Sequence, residues 1–331
     1  MAIATERQKP RRRWNYQQIN EIGLLAIIAL LYLGFWLYAH NFMTFNNQVT
    51  ILRDAAFIGI AAWGATLIII SGDIDISVGP TVAFISVMLA YMLKSEVIPL
   101  PLCFIFAILL GGALVGIAGI LRAYFEVPSF IGTLGLWSAL GGLALYMTQA
   151  IPVSYPGNAF LDLLDGRILG IPTAAVIMLL LCALFVFVSR KTAFGRAVYA
   201  IGGNPTAAHL SGIKVAQIRV MLFVIAGMLA AVTAILITAR NGIGDAGLSR
   251  SGLEFDVIAA VVIGGTSLSG GRGSVIGTLL GIFIISLIGN GLVLLGIDSF
   301  LQPVVRGVII VAAVLLNILA GRYNARSNLK A

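Results

Sequence analysis

The chain has 331 residues, 60% of them hydrophobic and only 10% charged, with a net charge of +8 and a mean hydropathy of +1.03. Soluble domains carry about 25% charged residues, so this mixture cannot cover a water-facing surface and most of it must face lipid. The positive charge does not point to nucleic acid, because the Lys and Arg residues stand at the ends of apolar runs and not on an aromatic-interleaved face.

Crossing about 30 Å of hydrocarbon at 1.5 Å per residue takes about 20 apolar residues. Arg7, Lys9, Arg11, Arg12 and Arg13 precede a first apolar run, Ile22–Ala39. That arrangement resembles a signal peptide, but the run is long and no small-x-small cleavage site follows, so a retained first helix is expected. Further spans are expected at Val49–Ile70, Pro80–Leu93, Ile98–Leu121, Ser129–Thr148, Ile171–Ser189, Val215–Ala239, Leu253–Ser267, Val275–Leu295 and Phe300–Ala320. The third and eighth of these ten runs are short and adjoin Gly-rich polar stretches, as broken or half-length helices do. The chain thus divides into a basic tail at 1–21, a membrane domain at 22–320 and a tail at 321–331.

Ten spans put both termini on one side. With a cytoplasmic N-terminus, the inner segments hold the cluster at 7–13, Arg122, Arg190, Lys191, Arg196, Lys214, Arg219, Arg272, Arg322, Arg326 and Lys330. The outer segments hold Lys94, Arg167, Arg240 and Arg250, while Arg53 and Arg306 fall within or beside spans. This asymmetry is the positive-inside pattern, and an odd number of spans would destroy it. The longest inner loop is about 190–214. The longest outer loop, about 149–170, is marked by turn residues Pro152, Pro156, Gly157 and Asn158. Gly/Ser-rich breaks at 71–79 and 264–271 echo one another, and pairing spans 2–5 with spans 7–10 would give an inverted repeat.

Asp73 and Asp75 stand in the first break. A carboxylate at bilayer depth is costly unless paired or hydrated, so two readings stay open: capping of the helix that starts near Ser77 and Pro80, or work in gating and translocation. No His or second acidic residue is expected deep in a span to continue a proton relay. Leu268-Ser269-Gly270-Gly271-Arg272 nearly reproduces the LSGGQ signature of ABC ATPases. Without a G-x-x-x-x-G-K-[ST] loop or a soluble domain, it reads as a tight inner turn. In the inner loop, Asn204 is placed to cap a helix with Pro205 at its first position. Ala207, Ala208 and Leu210 give that helix a small apolar face, and Gly212 stops it. Such a helix either lies on the bilayer or docks into a partner. Gly112-x-x-x-Gly116 and Gly277-x-x-x-Gly281 are helix-packing spacings. Cys103 and Cys182 read as small buried hydrophobes, His40 and His209 are isolated, and no catalytic or metal-binding set of residues is found.

Four stretches carry a resemblance: Gly72 to Gly79, Val127 to Gly135, Gly195 to Ile213, and Ala259 to Ser274. From about residue 45 to 320 the chain resembles the permease subunits of bacterial ABC importers for monosaccharides, of the ribose/xylose/galactose type. The related branched-chain amino acid permeases usually lack the Asp-x-Asp form of the first motif, which favours a sugar-like solute; an autoinducer-2-type permease is the alternative within the group. The resemblance implies an all-helical inner-membrane protein that works by alternating access. Its partners would be a second permease copy (identical or related), a pair of cytoplasmic ATPases that bind ATP and Mg, and a periplasmic binding protein that meets the outer loops and largely sets specificity. The chain itself would be no enzyme and would hold no cofactor. Asn204, Pro205, Ala207, Ala208, Leu210 and Gly212 would form the coupling helix on the ATPase. Asp73, Asp75, Ser77, Phe130, Thr133, Thr266, Ser267 and Ser269 are the candidates for the pathway or its gate. An ion-coupled secondary transporter would need acidic or polar groups deep in several spans, and an intramembrane enzyme would need a catalytic pair at depth.

Overall fold

The computed structural model describes residues 16–298 and then 301–305, 307, 308, 311, 312 and 315. In chain order the elements are α1 (Tyr16–Tyr38), α2 (Phe45–Ile70), α3 (Val78–Ser95), α4 (Leu100–Tyr124), α5 (Ser129–Thr148), β1 (Val153–Ser154), α6 (Ala159–Asp165), β2 (Arg167–Ile168), β3 (Ile171–Pro172), α7 (Thr173–Lys191), α8 (Ala193–Gly203), α9 (Pro205–Leu210), α10 (Val215–Asn241), β4 (Ile243–Gly244), α11 (Leu253–Ile263) and α12 (Val275–Leu294). Among the described residues eight helices are long and apolar enough to cross a membrane, all but α6, α8, α9 and α11. The third expected span is not short: α3 has 18 residues, because the helix starts at Val78 and takes Pro80 into its first turn, where a missing N–H costs nothing. The eighth is half-length, since the 11 residues of α11 rise only about 16 Å. Most of the tenth, Arg306 and the basic residues of both tails lie outside the described residues.

α2 is the axis of the bundle. Its residues from Ala55 to Ile70 are all buried, with Trp63 fully so, and α7, α10, α11 and α12 surround it. Lipid is as apolar as Leu, so close packing rather than water exclusion must hold such helices together. Small residues make that packing possible. Gly64 of α2 lies against the backbone of Ala226 in α10, and Gly111 of α4 and Gly227 of α10 each place a carbonyl where the other's Cβ would stand. The Trp63 indole N–H donates to the Met178 carbonyl of α7 at 3.3 Å. Exposed Leu30, Trp36, Ile105, Leu109 and Leu180 form part of the outer apolar face, as lipid contact requires.

α1 packs on α12 at the edge. Asn20 donates to the Gly264 carbonyl at 3.2 Å, and Tyr32 donates to Gln48 at 2.9 Å. The Gly242–Ser251 end of the bundle is closed by the antiparallel pair β1–β4, with Val153 opposite Gly244, and by the hairpin β2–β3. There Tyr155 donates to the Thr238 carbonyl at 2.7 Å. Arg53, which falls in α2, pairs with Asp165 of α6 at 3.5 Å.

Candidate functional site

α2 ends where Gly72 adopts φ +84°, a conformation strained for any residue with a Cβ. Residues 73–77 then run into the bundle without helical hydrogen bonds before α3 begins. Peptide groups buried this way need partners, and one face of α5 supplies them. The Ile74 N–H donates to Ser129 Oγ at 3.0 Å and the Ile76 N–H to Thr133 Oγ1 at 3.3 Å. Asp75 Oδ1 accepts from the Ser77 N–H at 2.8 Å and from Ser77 Oγ at 2.6 Å. One turn further along the same face, the Trp137 indole donates to Glu254 Oε1 at 2.9 Å.

Glu254 opens α11 and lies against Gly79, which opens α3. Two helix N-termini therefore meet inside the protein. Two buried acidic side chains stand at that junction, Asp75 at 3% and Glu254 at 1% exposure. Glu254, in the first turn of α11, is a buried acidic residue that the sequence reading did not single out. Asp73, 1% exposed, is paired with Arg122 Nε at 2.6 Å and with Arg219 Nε at 3.1 Å. The ion cluster clamps the ends of α4 and α10 onto the break. In the sequence these two arginines carry only a topology signal.

The second break follows α11. The Ser267 N–H donates to the Arg272 carbonyl at 3.0 Å, and the Gly271 N–H donates to the Ile70 carbonyl at 2.8 Å, so the LSGGR stretch is the tight turn expected and it is tied to the end of α2. The loop expected at 190–214 holds two helices. α8, not foreseen, is capped by Thr192, whose Oγ1 accepts from the Gly195 N–H at 3.1 Å, and it buries Val198 and Ile201. α9 is capped by Asn204, whose Oδ1 accepts from the Ala207 N–H at 2.9 Å. Pro205 is its first residue, and Gly212 takes φ +83° just beyond it. Ala208 is buried, whereas Ala207 is exposed and Leu210 is 82% exposed. The C-terminus of α8 rests on both breaks. Gly202 lies against the Ile70 carbonyl and the Gly271 amide, and Tyr199 donates to the Gly273 carbonyl at 2.9 Å. Burial pushes the Tyr199 hydroxyl above its ordinary range, against the pull of Arg190.

The structure thus brings Asp73, Asp75, Ser77 and Thr133 together as the parts that hold the first break. Thr266 is buried, Ser267 half-buried and Ser269 exposed in the adjoining turn, and Phe130 is exposed on the first turn of α5. The exposed side of α5 carries a seam of small residues, Gly135, Ser138, Ala139 and Gly142, the kind of surface on which a second helix packs closely.

The protein family described as "Branched-chain amino acid transport system / permease component" matches residues 47–314. The chain is 61% identical to the probable ABC transporter permease protein YphD of Escherichia coli (strain K12), over 94% of this chain and 93% of that protein. It is 42% identical to the ribose import permease protein RbsC of Bacillus subtilis (strain 168), over 84% and 86%. It is 31% identical to the xylose transport system permease protein XylH of Escherichia coli (strain K12), over 88% and 90%. No solved structure matches the chain.

Proposed function

The chain belongs to the branched-chain amino acid transport system / permease component family, as a multi-pass inner-membrane permease, and from that premise we propose that it forms the translocation path of an ATP-driven importer for a monosaccharide. The relatives named for ribose and xylose support the solute class. The observation that carries the mechanism is the seating of α8, which leads into the exposed α9, on both breaks at once. A cytoplasmic ATPase that binds ATP and Mg docks on α9, through Asn204, Pro205, Ala207, Leu210 and Gly212. Its closure moves α8, and α8 moves the Ile70–Gly271 contact and the Asp73 ion cluster with it. The junction of α3 and α11 then opens to one side or the other. The basic end, with Arg122, Arg190, Lys191, Arg196, Lys214 and Arg219, faces the cytoplasm by the positive-inside rule, and both termini lie on that side. The end with α6 and the short strands meets a periplasmic binding protein. A second permease copy packs on the small-residue seam of α5.

Ala207→Arg tests this reading, because Ala207 is exposed and the change leaves the fold alone. The solubilised native chain is expected to capture an ATPase that the monodisperse variant loses. Capture of no ATPase by the native chain, together with solute movement down an ion gradient in liposomes, would overturn it.

A further inference from the structure

α7 and α10 both pack on α2 and leave between them a groove of about 450 Å³, which Leu67 of α2 also lines. It extends along α7 from Leu181 to Thr192 and along α10 from Met221 to Leu229, about 12 to 16 Å at 1.5 Å per residue. That is about one leaflet of a hydrocarbon core about 30 Å thick. A partner's spanning helix would need twice the length, whereas a single lipid chain fits. Thr192, the polar residue of the lining, has its hydroxyl occupied: it donates to the Val188 carbonyl at 2.7 Å and accepts from the Gly195 N–H at 3.1 Å. The wall therefore offers apolar contact and no polar recognition.

Resting on the importer reading for the side of the membrane, we propose that this groove holds an acyl chain of an anionic phospholipid of the inner leaflet, with the lipid phosphate on Lys191 and Lys214. An apolar wall cannot choose between lipids, because all of them bring similar chains, so the choice is made at the mouth. Lys191 stands seven positions after Leu184, and Lys214, which precedes α10, stands seven before Met221. Seven residues are close to two full turns, so each lysine continues the face that lines the groove. Both are exposed, and neither forms a salt bridge among the described residues. A second apolar groove, of about 440 Å³ between α3 and α4, makes the contrast: just beyond its Met92 stand Lys94 and Glu96, of opposite charge, which give no such selection. Phe194, in the first turn of α8, also lines the groove between α7 and α10, so the bound chain touches the helix whose far end rests on both breaks.

The test uses the full chain in detergent, stripped of lipid and read by native mass spectrometry. The probes are dioleoyl phosphatidylglycerol and dioleoyl phosphatidylcholine, which share their chains and differ in headgroup charge. The native chain should retain the phosphatidylglycerol at least about tenfold better. A lysine near the surface contributes about fivefold to binding an anionic lipid, so Lys191→Ala combined with Lys214→Ala should lower that retention about twenty-fivefold and leave phosphatidylcholine unchanged. Met221→Trp, at a residue 51% exposed, should lower it too, by obstructing the groove with both lysines in place. All three positions are exposed, so the variants should stay monodisperse. Equal retention of the two lipids, native retention by either variant, or displacement of the lipid by glycerol 3-phosphate, a headgroup without chains, overturns the proposal. So does a dimer of the chain that Met221→Trp breaks and added lipid does not. Capture of the ATPase by the same preparations separates the two readings: capture without a headgroup preference refutes the groove alone, whereas a headgroup preference without capture refutes the importer alone.

Discussion

Asp73, buried between two arginines, holds the first break electrostatically. Asp73→Asn keeps the shape and removes the charge, leaving Arg122 and Arg219, 26% and 14% exposed at their side chains, facing one another across a neutral amide. Removing one partner of a buried pair costs about 3–5 kcal/mol. The amide oxygen still accepts one hydrogen bond, which offsets about 1 kcal/mol, and the partial exposure of both guanidiniums lets water screen some of the rest. A net loss of about 2–3 kcal/mol lowers the thermal midpoint by roughly 3–4 °C for a chain of this size. The midpoint would be read as loss of the monodisperse peak on size-exclusion chromatography in one detergent. Adding Arg219→Gln to Asp73→Asn removes half of the repulsion, so the double variant should be at least about 1 kcal/mol less destabilised than the two singles summed. A single variant within 1 °C of the native chain, or strict additivity, would refute the clamp.

Gly227→Ala puts a methyl group onto the Gly111 carbonyl and should cost about 1–3 kcal/mol by forcing α4 from α10; Gly23→Ala, which meets nothing, is the control and should leave the midpoint unchanged. Glu254→Gln keeps the acceptor for Trp137 and should fold normally, whereas Glu254→Leu strands the indole N–H and both helix ends, and its midpoint should fall by several degrees. Burial, helped by the Asp162 charge, pushes the Tyr155 hydroxyl from 10.0 up to about 12. Because the folded value is raised above the unfolded one, the stability Tyr155 contributes is fully present below pH 10 and is lost as pH rises through about 12. A tyrosinate absorbance titration should show a late-titrating component that Tyr155→Phe removes.

Much of the architecture was legible in the chain itself. An apolar run long enough to span lipid has to be a helix, because lipid offers no partner for a free peptide group, and the basic residues mark one face of the membrane by simple counting. The α9 cap was equally local: Asn204 and Pro205 sit within one turn of the amides they serve. The half-length α11 shows as a short run beside a Gly-rich stretch, while α3 is longer than its apolar run because Pro80 lies inside its first turn and not at its boundary. What no run of neighbours could disclose was long-range pairing. Asp73 meets Arg122 and Arg219 across 49 and 146 positions, and Glu254 meets Trp137 across 117. Glu254 looked like an ordinary first-turn carboxylate until the fold set its helix end against that of α3. Composition and period record the solvent each residue faces, and they determined that this chain crosses a membrane many times. Which charge neutralises which, and which loop rests on which break, depends on distances that exist only once the helices have packed.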